Sequence, residues 1–577
     1  MKYFKIFIKK HKGKVILAIF LLLGQVVGTL LIPALIANVI DHGILRGDMN
    51  VVINIGIQML VVAIIATIIA ICGSWTTSNL GSLFGFEMRT KLFEKLQQLS
   101  VDQFDNLGVS SLITRSTSDI TNLQQTLGMM LQMIAPAPII AIVSMVMTYM
   151  INPQIVLIQF GFMVILVLLA IILLKKSSKL SRSIQTRLDN INKVVHESIT
   201  GVRVIRAFGN ENYENSRSNK AFSNYAQNMI KLNRIFAVFT PIVWILMGGL
   251  MVIVLSIGGL FSISGEMAVG EITAVIEYAT LTMGYLIMAV SSFTMLPKAL
   301  ACLKRLEEVL DTIPSITDRH TKNIENCSTD TNVTVEFENV NFAYLGAEEP
   351  VIHNLSFSIK KGQTTAIIGS TGSGKSTLFN LILRMHDIKS GQIRLNGVNI
   401  QDFTQHHLRE KIGSVPQKSF LFSGTIVDNL RMGKKDATDE EMWHALKIAQ
   451  ADAFVEKLPD GLLSPVLQGG TNFSGGQRQR ISIARALIKN ADIYLFDDSF
   501  SALDMKTDAT LRHALQQHLS SVAKLIIAQR VSSIIDADQI IVLDEGRMVG
   551  MGTHTTLLKE CLVYQSIVDS QMGEKEV

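Results

Sequence analysis

The stretch Thr364-Thr-Ala-Ile-Ile-Gly-Ser-Thr-Gly-Ser-Gly-Lys-Ser-Thr377 places a glycine-rich loop directly after an apolar strand. Residues 369–377 fit the pattern G-x-x-x-x-G-K-[ST], and the apolar residues after them predict a helix over 378–385. Glycines allow backbone N–H groups to point at phosphate oxygens, and the N-terminus of the helix adds a favourable dipole. The stretch predicts an α/β nucleotide-binding domain whose phosphate loop consists of Gly369, Ser370, Thr371, Gly372, Ser373, Gly374, Lys375, Ser376 and Thr377.

Two side chains of this loop have defined chemistry in the P-loop pattern. Lys375 is expected to reach the β- and γ-phosphates of ATP, and the Ser376 hydroxyl is expected to bind Mg²⁺. A second apolar strand, residues 492–496, ends at Asp497, where a carboxylate can hold the same Mg²⁺ through water. Asp498 follows at the position where a water-positioning base is wanted. The alternative is a chance match in a Gly/Ser loop, and the flanking strand and helix argue against it.

The chain as a whole is too apolar for an ordinary soluble enzyme. It has 577 residues, of which 48% are hydrophobic, and a mean hydropathy of +0.34. Nearly all long apolar runs lie before Pro297, and the remainder has the composition of a soluble domain. The net charge of +5 is modest and predicts no nucleic-acid partner. The four cysteines lie far apart and indicate neither a disulfide framework nor a metal site.

Six apolar stretches are long enough to cross a bilayer, which takes about 20 helical residues. The first follows a basic N-terminus, so a signal peptide is its alternative, but its length and the later spans favour a transmembrane helix. Lys and Arg collect in segments 87–126 and 175–234 and after residue 297, so we expect these and the N-terminus in the cytoplasm. The predicted spans are residues 15–40, 53–71, 127–150, 155–174, 235–263 and 272–296.

Both long cytoplasmic segments keep apolar residues at helical spacing, so the helices are expected to continue below the membrane and return as hairpins. Turn residues at 105–108 and 209–212 mark the lower ends of these hairpins. A polar stretch without apolar periodicity follows the last span. We therefore predict a transmembrane domain over 1–311, a linker over 312–332 and a nucleotide-binding domain over 333–577.

One acidic residue, Glu277, lies within the sixth predicted span. An ionisable group inside a span is costly, which makes it a candidate for contact with a transported substrate. The alternative is that Glu277 lies close enough to the outer interface to stay hydrated.

The motifs, taken in order, resemble those of one family, the ATP-binding cassette (ABC) exporters. The resemblance covers the whole chain, with six spans followed by one nucleotide-binding domain. It assigns adenine stacking to Tyr344 and a Q-loop role, with a Mg²⁺ contact, to Gln417. It also identifies the ABC signature as Ser474, Gly475, Gly476 and Gln477, the Walker-B acid as Asp497 and the D-loop as residues 501–504.

The resemblance implies a membrane all-α domain of the type I exporter fold, joined to an α/β P-loop domain that uses ATP and Mg²⁺. In such exporters two nucleotide-binding domains pair head-to-tail, and each ATP lies between one domain's phosphate loop and the other's signature. The helix expected from Arg478 onward would add its N-terminus to the signature as a second anion cradle. The cytoplasmic turns would act as coupling helices.

Three departures from the family pattern occur together. The residue after Asp497 is usually Glu but is Asp498 here, Gln529 replaces the switch histidine, and residues 464–470 differ before the signature. Aspartate is one methylene shorter than glutamate, and a displacement of roughly 1 Å can lower a rate about 10²-fold. Gln529 cannot carry the charge of an imidazolium. These losses predict a degenerate site that binds ATP and hydrolyses it slowly; a slower but working homodimer is the alternative.

A degenerate site beside an intact signature is expected where the partner is a different chain, because each signature serves the opposite site. The sequence thus resembles the degenerate-site half of a heterodimeric bacterial multidrug ABC exporter. That resemblance implies a multi-pass plasma-membrane protein whose substrates are small amphiphilic drugs. A lipid or peptide exporter, or an ATP-gated channel or regulatory protein, is the alternative. Six spans exclude a soluble P-loop enzyme with a membrane anchor.

Overall fold

The computed structural model describes residues 2–293, 295–318 and 332–572. The chain forms two compact units, one made of Met1–Gln97 with Gly108–Thr312 and the other of Gln98–Leu107 with Ile313–Val577. Most of the predicted linker, residues 312–332, and Cys327 lie outside the described residues. Residues 98–107 belong with the second unit although the chain enters and leaves them from the first.

The first unit contains the membrane-spanning helices. Each predicted span lies inside one helical stretch that is long and apolar enough to cross a membrane, which confirms their number and order. These stretches are Lys12–Ile44, Met49–Gln98, Val109–Ile151, Pro153–Thr200, Glu211–Ile263 and Val269–Asp311. The helices up to residue 311 are α1 (Lys2–Lys10), α2 (Lys12–Asn38), α3 (Met49–Gln98), α4 (Val101–Leu107), α5 (Val109–Thr114), α6 (Ile120–Met129), α7 (Pro136–Ile151), α8 (Pro153–Thr200), α9 (Val202–Ala207), α10 (Glu211–Ile263), α11 (Val269–Phe293) and α12 (Leu296–Asp311).

The two turns predicted at the lower ends of the hairpins are more helical than the sequence predicts. Most of the turn predicted at 105–108 is wrong, because α4 continues to Leu107 and only Gly108, whose φ is +73°, separates it from α5. At the second turn, predicted at 209–212, Gly209 has φ +62° and α10 already begins at Glu211. Glycine tolerates positive φ without a steric penalty, so it can end one helix and start the next within one or two residues.

Helix α11 is the central helix of the membrane unit. It packs against α2, α7 and α10. Its first turn approaches α2 so closely that a Cβ at Gly270 would lie 2.3 Å from the carbonyl oxygen of Ala37, which only glycine avoids. The Gly270 N–H donates to Asp41 Oδ1 at 2.7 Å. Deeper in the helix, Tyr278 is buried and its carbonyl oxygen accepts from the Ser144 hydroxyl at 3.1 Å.

The second unit contains strands that confirm those predicted at 364–368 and 492–496, with shifts of one residue at their ends. The strands are β1 (Val333–Phe342), β2 (Ile352–Lys360), β3 (Thr364–Gly369), β4 (Ser390–Leu395), β5 (Val398–Asn399), β6 (Ile412–Val415), β7 (Gly424–Thr425), β8 (Pro465–Val466), β9 (Ile493–Asp497), β10 (Ala523–Ile527), β11 (Gln539–Asp544) and β12 (Arg547–Gly552).

A six-stranded sheet forms the centre of this unit, in the order β12-β11-β3-β10-β9-β6. All its pairs are parallel except β11 with β12. Strands β3, β9 and β10 are buried on both faces, as expected for parallel strands covered by helices. A four-stranded antiparallel sheet, β2-β1-β4-β5, and a two-stranded pair, β7-β8, complete the strand inventory of the described residues.

Two helix starts predicted in this unit are wrong by three residues. The helices are α13 (Lys375–Ile382), α14 (Gln405–Glu410), α15 (Ile426–Arg431), α16 (Asp439–Ile448), α17 (Asp452–Val455), α18 (Gly475–Leu487), α19 (Met505–His518), α20 (His554–Glu560) and α21 (Leu562–Met572). Helix α13 begins at Lys375 instead of residue 378, directly after the left-handed Gly374. Helix α18 begins at Gly475 instead of Arg478, because the Ser474 side chain caps it.

Helix α13 ends in a turn that is held by a buried arginine. Arg384 has φ +49° and is 1% exposed. Its guanidinium donates to Asp387 Oδ1 at 3.0 Å, to the carbonyl oxygen of Phe403 at 3.2 Å and to that of Thr317 at 3.3 Å. One side chain thus satisfies acceptors from three segments of the unit.

Replacing Arg384 with methionine should destabilise the second unit by about 2–4 kcal/mol, because the buried carbonyl oxygens and Asp387 lose their donor. Thermal unfolding of the full-length chain in detergent would measure this change. Arg394→Met is the matched control. Arg394 pairs with Glu336 and Glu338 at the surface, where an ion pair contributes roughly 0–1 kcal/mol. Equal shifts in the two variants would contradict the assignment.

Candidate nucleotide site

The candidate site lies at one edge of the six-stranded sheet. Strands β3, β10, β9 and β6 are neighbours and run parallel, so their carboxyl ends meet at the same edge. Four parts of the candidate site lie at this edge. The phosphate loop follows β3, and Asp497 is the last residue of β9. The segment of Gln529 follows β10, and the segment of Gln417 follows β6. Ligand sites of open α/β sheets form at this edge.

The phosphate loop has the backbone that its glycines make possible. Gly372 and Gly374 have φ values of +90° and +94°, and α13 starts directly after Gly374. Lys375 Nζ donates to the carbonyl oxygens of Gly369 at 2.8 Å and Ser370 at 2.6 Å. Burial lowers the pKa of Lys375, and the charges of Asp497 and Asp498 oppose that shift. A buried ammonium at a helix N-terminus fits a phosphate chain.

The predicted Mg²⁺ ligands of the loop and of β9 are adjacent. Ser376 Oγ donates to Asp497 Oδ1 at 3.2 Å. Burial raises the pKa of Asp497, the charge of Asp498 adds to this shift, and the Ser376 hydrogen bond opposes it. Among the described residues, no group of three or more His, Cys, Asp or Glu side chains could hold a metal ion by itself. One carboxylate and one hydroxyl fit a Mg²⁺ that takes its other ligands from phosphates and water.

Asp498, the residue after the predicted Mg²⁺ ligand Asp497, has an unusual backbone conformation. Asp498 has φ +46°, and its N–H donates to the carbonyl oxygen of Ile527 at 2.8 Å. Its Oδ2 accepts from Gln417 Nε2 at 3.3 Å. The structure thus places Gln417, the predicted Q-loop residue, in direct contact with Asp498.

Tyr344, the predicted adenine-stacking residue, lies beside the phosphate loop. Its hydroxyl forms a hydrogen bond with Thr377 Oγ1 at 3.0 Å. The ring contacts Phe342 and His386 edge-on, with centroid distances of 4.9 Å and 5.2 Å. Nothing in the sequence pattern around His386 predicts this contact, which depends on the turn after α13.

The segment of Gln529 is fixed by the C-terminal helix. Gln571, on α21, donates from Nε2 to the carbonyl oxygen of Gln529 at 2.7 Å and accepts at Oε1 from the N–H of Val531 at 2.8 Å. The Gln529 side chain itself is exposed. The sequence gives no signal for Gln571, which is one polar residue on a surface helix.

The signature forms the N-terminus of α18. Ser474 Oγ accepts from the N–H of Gln477 at 3.3 Å, and Gln477 Oε1 accepts from the N–H of Ser474 at 2.9 Å. Gly476 lies beside the D-loop, since a Cβ there would be 3.2 Å from the carbonyl oxygen of Ala502. Ser474 and Gly475 are exposed, so the positive end of a 13-residue helix faces outward.

The membrane unit holds a separate cavity of about 560 Å³ between α10 and α11, to which Leu173 of α8 also contributes. Glu277 does not line this cavity and is exposed. It lies on the same face of α11 as the lining residue Thr280, about one helical turn away. The aromatic and thioether side chains that line the cavity are Phe236, Phe239, Trp244, Tyr285, Met247 and Met288.

Comparison with known proteins agrees with the two-part architecture. Residues 15–286 match the family model for the ABC transporter transmembrane region, and residues 352–501 match the model for the ABC transporter. A Mycobacterium tuberculosis protein described as an uncharacterized ABC transporter ATP-binding protein is 36% identical over 573 residues, which cover 98% of this chain and 97% of the relative. YfiB of Bacillus subtilis, described in the same words, is 35% identical, with 99% and 98% covered.

A third relative and one solved structure are also similar over almost their full lengths. The Bacillus subtilis protein named "Putative multidrug export ATP-binding/permease protein YgaD" is 28% identical, with 97% of both chains covered. The structure of a bacterial Atm1-family ABC exporter with ATP bound superposes with a TM-score of 0.82 at 25% identity, covering 98% of this chain and 99% of that one.

We expect Mg²⁺ to raise the ATP affinity of the unmodified chain about tenfold. Asp497→Asn should remove most of this effect, because a neutral amide is a poorer ligand for Mg²⁺. Titrating a fluorescent ATP analogue with Mg²⁺ and with EDTA measures the effect. Burial already raises the pKa of Asp497, so a neutral side chain should be tolerated by the fold. Asp492→Asn, before the other end of β9, is the control. A variant at Asp497 that keeps full Mg²⁺ dependence would contradict the assignment.

Proposed function

This chain belongs to the ABC transporters and is an ATP-driven exporter subunit of the type I fold, and we propose that it is the degenerate-site half of a heterodimeric multidrug exporter. The observation that carries the proposal is a contrast within one domain. The signature residues 474–477 are intact and form a capped, outward-facing helix N-terminus, whereas the acid and the switch residue of the chain's own site are Asp498 and Gln529.

The residues of the phosphate loop are suited to bind ATP in this proposal. Backbone N–H groups of the loop and Lys375 would hold the phosphates, and Tyr344 would stack on the adenine. Ser376, Gln417 and Asp497 would hold Mg²⁺, which neutralises phosphate charge when bound. None of these positions departs from the family pattern, so tight ATP binding is expected.

The proposed site is expected to hydrolyse ATP slowly. The carboxylate of Asp498 is withdrawn by one methylene relative to glutamate and already accepts a hydrogen bond from Gln417. An attacking water would therefore be oriented less well, and a displacement of this size lowers rates about 10²-fold. Gln529 adds a second loss, since an amide cannot supply positive charge to the developing transition state.

The intact signature supports a partner that differs from this chain. In a head-to-tail pair, Ser474 and the N-terminus of α18 would contact the ATP held by the partner's phosphate loop. A partner with glutamate and histidine at the two matching positions would then have a complete catalytic site. The proposed pair thus has one site that mainly holds ATP and one that hydrolyses it.

The lining of the cavity between α10 and α11 supports the proposal that the substrates are small amphiphilic molecules, which the chain would bind within the lipid bilayer. It is lined mainly by aromatic, thioether and aliphatic side chains, with hydroxyl groups from Thr240, Thr280 and Ser291. Flexible Met side chains and aromatic faces accept ligands of varied shape. Glu277, a turn away along α11, would favour substrates that carry a positive charge.

The chain purified alone should hydrolyse ATP at least about 100-fold more slowly than the assembled pair, because its own site lacks two catalytic groups. Phosphate release from nanodisc-embedded protein, alone and with a half-transporter that has glutamate and histidine at the matching positions, measures this ratio. Robust hydrolysis by the chain alone would overturn the proposal.

Within the pair, two variants serve as matched controls. Ser474→Ala should strongly reduce turnover, because Ser474 would serve the partner's working site. Asp498→Asn should change turnover only mildly, because it alters the degenerate site. Equal losses in the two variants would contradict the proposed division between the sites.

Glu277→Gln should lower the efflux of a cationic dye such as ethidium from inverted vesicles by about tenfold, because the variant lacks the negative charge that would attract the cation. Efflux of an uncharged dye should be unchanged. Glu266→Gln, which removes the same charge from an exposed position in the loop before α11, is the control. If ethidium efflux is equal in the two variants, Glu277 has no role in substrate binding.

A further inference from the structure

His386 connects two features of the second unit that are far apart in sequence. Its Nδ1 forms a hydrogen bond with Asp102 Oδ2, on α4, at 2.9 Å. Its ring lies edge-on to that of Tyr344, with centroids 5.2 Å apart and an interplanar angle of 87°. His386 is 5% exposed, whereas its partners Asp102 and Tyr344 are partly exposed.

The surroundings of His386 restrict how its ring can move. It follows α13 by four residues and is therefore joined, through one short helix, to the phosphate loop. Phe342 packs against the same ring at a centroid distance of 5.6 Å. Tyr344 is in turn fixed to the loop by the hydrogen bond between its hydroxyl and Thr377. Asp102 and Tyr344 therefore contact the same imidazole ring, from two different segments of the unit.

We propose that His386 is a positioning residue that fixes the Tyr344 ring for adenine and thereby couples ATP binding to the docking of α4 through Asp102. The inference rests on the proposed adenine contact of Tyr344. By thermodynamic reciprocity, any preference of ATP for the docked arrangement of α4 is matched by an equal stabilisation of that docking by ATP.

The two contacts of His386 can be separated by substitution. His386→Phe keeps an aromatic edge against Tyr344 and removes the bond to Asp102, whereas His386→Ala removes both. The edge-on contact of two rings predicts a loss of about three- to tenfold in ATP affinity for the alanine variant and a change of less than about twofold for the phenylalanine variant. Tyr344→Ala tests the underlying adenine contact.

Inorganic tripolyphosphate separates the adenine contact from general damage to the site. It can bind the phosphate loop but has no base, so its affinity should be unchanged in all three variants. Calorimetric titration of the full-length chain in nanodiscs, with ATP and with tripolyphosphate, measures both affinities. The control is His406→Ala, because the His406 side chain is 85% exposed in the same unit.

Hydrogen exchange in residues 101–107 reports the coupling directly. ATP should slow exchange there in the unmodified chain and in His406→Ala, and tripolyphosphate should slow it less. The ATP effect should be absent in both His386→Phe and His386→Ala. Retained protection in His386→Phe would overturn the proposed link through Asp102.

The remaining outcomes distinguish this inference from the proposed function. If Tyr344→Ala leaves ATP affinity unchanged, the proposed adenine contact is wrong and the inference fails with it. If Tyr344→Ala weakens ATP binding and His386→Ala does not, only the positioning role of His386 is overturned. Loss of tripolyphosphate binding together with ATP binding in His386→Ala would also overturn it, because the effect would then be a general loss of structure.

Discussion

The parallel pairing of four strands is the constraint on which the nucleotide site depends. Ile527 pairs with Ile367 on one side and with Asp497 on the other. This register continues into the loops, where the N–H groups of Ala528 and Asp498 donate to the carbonyl oxygens of Ile367 and Ile527. A slip of one residue in β10 would turn every side chain of the strand to the opposite face. The phosphate loop, Asp497 and the segment of Gln529 would then no longer meet.

This sheet edge is also in contact with segments that lie far away in sequence. On one side, His386 joins Tyr344 to Asp102 in the short helix α4. On another, Gln571 of the C-terminal helix holds the backbone on both sides of Arg530. The same domain presents its signature at an exposed helix N-terminus. The contact of His386 with Asp102 joins segments of the nucleotide-binding unit that are 284 residues apart in sequence.

The parts of this architecture that depend on local pattern could be predicted from the sequence. Hydropathy alone located six spans, and the spacing of Gly369, Gly374 and Lys375 identified the phosphate loop. Helix starts were predicted less well, because a left-handed Gly374 or the cap at Ser474 sets the first residue, not the apolar pattern that follows. The contacts of His386 and Gln571 could not be predicted, since neither residue meets its partner until distant segments have packed.

The backbone conformation of Asp498 favours aspartate over glutamate at this position. Its φ of +46° lies in a region that few residues other than glycine adopt, and aspartate and asparagine tolerate it best. A glutamate here would bear more conformational strain, of the sort that functional sites retain. In the proposed pair, in which the partner hydrolyses ATP, this chain's own site would need no glutamate, and aspartate would avoid that strain.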